Sequence, residues 1–180
     1  MSYQKENQKV MTPPTKGFIL GLIIVALAIV TYIFIPFAEQ SKYGWVSFLV
    51  IAGGIIWACM SYGKQMDGNV TFGNVFAHGF KTTAVLTIIV CIYTVLSFTL
   101  IFPEAKDKAL ELVREQMSKT PGISEAQIET QVANYTKYMI PFTLAGVLVM
   151  YLIIGAISSL LGAVLTKRNP NYNPNATPFQ

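Results

Sequence analysis

Long apolar runs separated by short polar segments dominate the chain. Residues 17–37 and 43–62 contain no charged side chain, and residues 139–166 contain none either. A fourth run, residues 80–102, contains a single charge, Lys81, near its start. Each run is long enough for a helix to cross the hydrocarbon core of a bilayer, which is about 30 Å thick. The pattern predicts an all-α, polytopic membrane protein with four transmembrane helices.

The polar segment at residues 103–138 lies between the third and fourth spans. Charges of both signs alternate along residues 104–119, with small and apolar residues on one helical stripe. The Thr-Pro-Gly sequence at 120–122 ends this helix, and the Ser-Glu-Ala-Gln sequence at 124–127 is a capping-box pattern that opens another. We therefore expect an amphipathic helical hairpin between spans three and four, lying on the membrane surface or on the other spans.

The predicted membrane domain covers residues 17–168 and leaves a segment at each end of the chain. Residues 1–16 are polar and basic, and we expect a flexible leader. Residues 169–180 are rich in Asn and Pro with little to bury, so we expect a disordered tail. Lys and Arg flank the spans in both end segments and in the loop at residues 63–79, which favours both termini in the cytoplasm.

The loop between the second and third spans carries more local signals than a short connection needs. Asp67 and Gly68 predict a turn, because Gly tolerates a positive φ and Asp can bond its own backbone. Thr71 is a candidate N-cap, since its hydroxyl can accept from the first free backbone N–H groups of a helix. The third helix is therefore predicted to begin at about residue 72, ahead of the apolar run.

An aromatic stripe marks the first turns of this helix. Phe72, Phe76 and Phe80 recur every four residues and share one helical face, while Asn74 and His78 point elsewhere. We call these five residues the interaction surface and predict that it binds a protein partner. The alternative is that the rings rest among lipid headgroups, as amphipathic aromatics do.

Four small residues in the fourth span form a candidate packing face. They make two pairs spaced four residues apart, a spacing that lets helix backbones approach closely. The residues are Gly155, Ser158, Ser159 and Gly162.

Composition supports the membrane assignment and limits the chemistry. Hydrophobic residues make up 53% of the chain and charged residues 12%. The net charge is +4, from 13 Lys and Arg against 9 Asp and Glu. Such an excess is usual in a membrane protein, where Lys and Arg flank the spans and set their orientation, so no nucleic-acid partner is expected. Cys59 and Cys91 both lie in apolar runs and are expected to be packing residues, while the sequence neither requires nor excludes a disulfide.

Residues 63–83, GKQMDGNVTFGNVFAHGFKTT, resemble a family of bacterial inner-membrane proteins catalogued as a domain of unknown function and common in Bacteroidetes. The resemblance covers about residues 17–168 and implies four spans in the bacterial inner membrane. No activity, cofactor or catalytic residue follows from it. Its short motifs are Gly68, Phe72-Gly73, Gly79-Phe80, Pro103-Glu104 and Ser158-Ser159 before Lys167-Arg168.

No familiar catalytic, cofactor-binding or metal-binding motif occurs in the sequence. His78 is the only histidine, and we expect it to be solvated or to face the lipid headgroups at the membrane edge. We also expect no ionisable residue inside the spans beyond Lys81, which counts against ion-coupled transport. We therefore expect a non-enzymatic subunit that assembles with or anchors an envelope component, with membrane lipid and a protein partner or a homo-oligomer as its contacts. The alternatives are a small oligomeric transporter or channel and, less favoured, an enzyme acting on lipid.

Overall fold

The computed structural model describes residues 10–174, with only the backbone of Ser41, and this part of the chain contains five α-helices and no strand. The helices are α1 (Pro13–Phe34), α2 (Gln40–Gln65), α3 (Phe72–Leu96), α4 (Glu104–Ser118) and α5 (Glu125–Leu165). A 3-10 turn, Phe37–Glu39, precedes α2, and a π-helical segment, Ser97–Ile101, continues α3. Four stretches are long and apolar enough to cross a membrane: Pro13–Phe34, Lys42–Gln65, Phe72–Ile101 and Glu125–Leu165. The predicted all-α fold with four spans is confirmed.

Side-chain caps fix where the helices begin. The Thr71 hydroxyl accepts from the backbone N–H of Asn74 at 3.2 Å, so the predicted cap of α3 is confirmed. Ser124 forms a complete capping box with Gln127 at the start of α5. The turn before α3 is also as predicted, because Gly68 has a φ of 76° that favours glycine.

The spanning helices form a bundle in which α1 and α5 each pack against both α2 and α3. Ile51 and Ile55 of α2 and Leu86 of α3 are fully buried at its centre. The start of α1, the α2–α3 turn and the end of α5 lie together, and we call this the terminal end. The opposite end carries the predicted helical hairpin, in which α4 packs on the first turns of α5.

Contacts between the hairpin and α1 define the opposite end. The Tyr32 hydroxyl donates to Glu104 Oε1 at 2.9 Å, and the Tyr32 ring stacks on Phe102 with 4.0 Å between ring centres. The Glu104 carboxylate accepts hydrogen bonds from the Glu104 backbone N–H and from the Tyr32 hydroxyl. These bonds lower the pKa of Glu104 below its ordinary value. Within the hairpin, Arg114 and Glu129 form an ion pair at 2.9 Å.

Three predicted boundaries differ from the structure. α1 begins at Pro13 inside the predicted leader, because Thr12 caps it and Pro suits the first helical turn. The second hairpin helix and the fourth span form one helix, α5, with Pro141 in its interior, because membrane helices tolerate such a proline. Asn169, the first residue of the predicted tail, packs against the α2–α3 turn, as described below, while residues 1–9 and 175–180 lie outside the described residues.

The predicted packing face of the fourth span lies inside the bundle. A Cβ added to Gly155 would meet the Thr83 side chain of α3, at 2.7 Å from its Cβ, and one added to Gly162 would lie 2.7 Å from Cys59 Cβ of α2. Ser158 and Ser159, between the two glycines, are buried. The small residues therefore hold α5 against both α3 and α2.

We predict that Gly155→Leu and Gly162→Leu each lower stability by about 1–3 kcal/mol or more, because a larger side chain forces the helices apart. Thermal unfolding in mild detergent measures the effect. Gly146→Leu is the matched control in the same helix, since a Cβ there meets nothing within 4 Å. Wild-type melting of both test variants would contradict the packing.

Candidate functional site

The interaction surface occupies the start of α3 at the terminal end. Phe72 and Phe80 are each 37% exposed, and Asn74 is exposed as well. Phe76 is partly buried, and its ring centre lies 5.9 Å from that of Phe80. The structure therefore places four of the five predicted residues, all except His78, at or near the surface.

The chain beyond α5 packs beside this surface. The guanidinium of Arg168 lies 5.9 Å from the centre of the Phe72 ring. The Asn169 backbone N–H donates to the Gly68 carbonyl at 2.9 Å, and its side-chain amide donates to Asn69 Oδ1 at 3.0 Å. These bonds hold Asn169, the first residue of the predicted tail, against the α2–α3 turn. Local sequence gives no sign of them, because the two partners are 100 residues apart.

The prediction that His78 is solvated is wrong. Its side chain is only 5% exposed and stacks on Tyr62 of α2, with ring centres 4.2 Å apart and planes 13° apart. Its Nε2 atom has no hydrogen-bond partner among the described residues. His78 lies on the inward stripe of α3 with Val75 and Thr82, which are also buried, and this spacing in the sequence was the available signal.

The expectation that no ionisable residue beyond Lys81 lies inside the spans is also wrong. Lys16 is fully buried in the first turn of α1, and its Nζ donates to the backbone carbonyl of Ala58 in α2 at 3.0 Å. The same Nζ lies 5.9 Å from the centre of the Trp57 ring. Sequence reasoning assigned Lys16 to the leader because it precedes the apolar run. The Thr12 cap was the signal that α1 begins earlier.

Lys16 belongs to a group of buried polar residues inside the terminal end, which we call the polar layer. Its members come from all four spans: Lys16, Cys59, His78, Thr82 and Ser159. The Cys59 thiol lies 3.7 Å from the Val75 carbonyl and 4.0 Å from the Ser159 carbonyl. Ser159 Oγ, like His78 Nε2, has no hydrogen-bond partner among the described residues.

The donors of the polar layer determine what it can do. Thr82 donates to the His78 carbonyl within its own helix at 2.8 Å, so its hydroxyl is satisfied locally. Lysine carries three N–H donors, and the carbonyl of Ala58 accepts from the Lys16 amine. Within residues 10–174 no three His, Cys, Asp or Glu side chains group closely enough to hold a metal ion.

Two adjoining cavities open on the outside of the terminal end. The first, about 550 Å³, lies between the ends of α2 and α5. Three of its lining residues are basic: Lys64, Lys167 and Arg168. The second, about 450 Å³, extends along α2 from Lys64 to Gly53 and includes Trp57 in its wall.

A sequence model of one family, described as "Protein of unknown function (DUF4199)", matches residues 15–168. The chain belongs to this family. The matched region of this DUF4199 chain runs from the first turn of α1 to Arg168, so it includes the polar layer and the interaction surface. A search of curated proteins and a search of solved structures gave no match to it. With its four apolar helices, this DUF4199 chain is a multi-pass membrane protein.

We predict that His78→Phe unfolds at or above the wild-type temperature, because it keeps the ring against Tyr62 and removes the unpartnered nitrogen. His78→Ala should lower stability by at least about 2 kcal/mol, since it leaves a cavity in the bundle. Thermal unfolding in detergent measures both. If His78→Ala melted like the wild type, the buried position of the ring would be refuted.

Proposed function

We propose that this chain is a non-enzymatic subunit of the bacterial inner membrane that assembles with or anchors an envelope component. The observation that carries the proposal is the interaction surface with Arg168 beside it. Exposed aromatic rings next to an arginine are the residue types that dominate the binding energy of protein interfaces.

The construction of the surface supports protein docking over lipid anchoring alone. Thr71 caps α3, the helix that carries the rings. Asn169, which follows α5, bonds to Gly68 in the α2–α3 turn that precedes this cap. The Arg168 guanidinium lies 5.9 Å from the centre of the Phe72 ring. A surface held by such contacts loses little conformational entropy when a partner binds, whereas insertion among headgroups needs no preformed surface.

The distribution of charge supports the proposed orientation. Both ends of the membrane domain and the α2–α3 turn lie at the terminal end, together with four basic residues close to the spans, Lys64, Lys81, Lys167 and Arg168. At the other end, Lys42 and Lys137 lie directly beside spans, in segments that also carry most of the acidic residues. Because Lys and Arg near spans favour the cytoplasmic side, we place the terminal end in the cytoplasm and the helical hairpin on the other side.

The polar layer favours a second candidate, a small oligomeric transporter or channel. Ionisable residues are costly inside a membrane and often mark an ion or proton path. Lys16 and His78 are two such residues, buried at the same end of the bundle. The close contact of α5 with α2 and α3 at Gly155 and Gly162 leaves a single copy little room for a path there, so transport would require several copies.

We predict that a photoreactive amino acid at position 74 crosslinks to a protein in whole cells, because Asn74 is exposed in the same first turns of α3 that carry the rings. Phe72→Leu and Phe76→Leu should each reduce this adduct at least about fivefold, because a shaped site does not accept Leu for Phe. Mass spectrometry identifies the adducts. The control probe replaces Ile88, which is 58% exposed on the apolar part of α3 and should label lipid. Lipid adducts alone at position 74, or adducts unaffected by the Leu variants, would leave the stretch as a membrane anchor.

We further predict that the purified chain in liposomes conducts no more K⁺ or H⁺ than protein-free liposomes do. Flux is followed with a potential-sensitive or pH-sensitive dye. Flux that is present in the wild type and lost in Lys16→Met would instead support the transporter, because that substitution keeps the length of the side chain and removes the amine.

A further inference from the structure

The two outer cavities adjoin each other, and both are lined by Met60 and Lys64. The first lies level with the ends of the spanning helices, where a bilayer has its headgroups. The second follows α2 toward the middle of the bilayer, where the acyl chains lie. A molecule that occupied both would be polar at one end and apolar at the other, as a phospholipid is.

The basic lining of the first cavity favours a negatively charged headgroup. Lys64, Lys167 and Arg168 outnumber Asp67, the one acidic residue in the lining. Basic pockets between membrane helices are suited to anionic lipid headgroups, because Lys and Arg both attract phosphate and donate hydrogen bonds to it. A zwitterionic headgroup would bring its own cation against the same three side chains.

The second cavity has an apolar part, formed by Ile56, Trp57 and Met60, that suits an acyl chain, and its polar lining residues are Ser61, Lys64 and Gln65. A Cβ added to Gly53 meets nothing within 4 Å, so the surface of α2 is open there. Trp57 forms part of the wall and is 48% exposed, which suits an indole ring at the boundary between headgroups and acyl chains. The Nζ of Lys16 lies 5.9 Å from the same ring, so the polar layer and the cavity share a wall.

We propose that the two cavities together bind one anionic phospholipid. Its phosphate lies against Lys64, Lys167 and Arg168, and one acyl chain follows α2 past Trp57 toward Gly53. Their volumes, about 550 Å³ and 450 Å³, lie within the range of ligand sites in proteins. The site needs only that the chain spans a membrane, and it is independent of the protein partner proposed above.

Native mass spectrometry of the intact protein tests the site, with phosphatidylglycerol and phosphatidylcholine of equal chain length added in competition. We expect the wild type to retain one phosphatidylglycerol at least about tenfold in preference to phosphatidylcholine. Lys64→Gln and Lys167→Gln should each reduce that preference about fivefold. Lys81→Gln is the matched control, because Lys81 is exposed at the same end of the bundle and lies outside both cavities.

Two further arms separate the lipid from a free phosphate compound and test the acyl position. Glycerol 3-phosphate should not displace the lipid, and Gly53→Phe should weaken its retention while the three basic residues remain. Equal retention of the two lipids, equal losses in Lys81→Gln and Lys64→Gln, displacement by glycerol 3-phosphate, or an unaffected Gly53→Phe would each overturn the proposal. The substituted positions are exposed, and thermal unfolding verifies that every variant is folded.

Discussion

The meeting of α2, α3 and α5 at Gly79 is the contact on which the rest of the bundle depends. A Cβ at Gly79 would lie 2.5 Å from Cys59 Sγ and 2.7 Å from Ser159 Oγ, so only glycine lets the three helices approach this closely. Apolar side chains gain little by leaving lipid for one another, and membrane helices are therefore held by close packing and by polar contacts between them. Both occur at this junction, and the other small residues extend it along α5.

The polar layer surrounds the same junction and connects the interior of the bundle to its surface. Lys16 connects α1 to α2 through its hydrogen bond to the Ala58 carbonyl, and His78 connects α3 to α2 by stacking on Tyr62. The exposed rings of α3, the cavities beside α2 and the Asn169 contact lie at this same end of the bundle.

Local signals predicted the four spans and the start of α3. Of what was missed, the early start of α1 and the inward position of His78 had local signals, the Thr12 cap and the helical spacing, whereas other features depend on long-range contacts. The lengths of the apolar runs predicted the four spans. Thr71 predicted the start of α3, because a cap acts within one helical turn. The buried state of Lys16 depends on the carbonyl of Ala58, 42 residues away, and nothing near Lys16 in the sequence indicates that partner. Four residues of the predicted interaction surface lie at or near the surface of the bundle, whereas His78 lies on the inward face of α3, and the binding role of this surface stays a prediction.

The molecular role is tested most directly by the mass of the assembly that contains this chain in its own membrane. Polymer nanodiscs extract that assembly with its lipids, and native mass spectrometry gives its composition. We predict this chain together with a different protein in a fixed ratio, and loss of that protein from the Phe72→Leu variant. This chain alone with lipid, or copies of this chain only, would contradict the proposal that it is a subunit of a larger envelope complex.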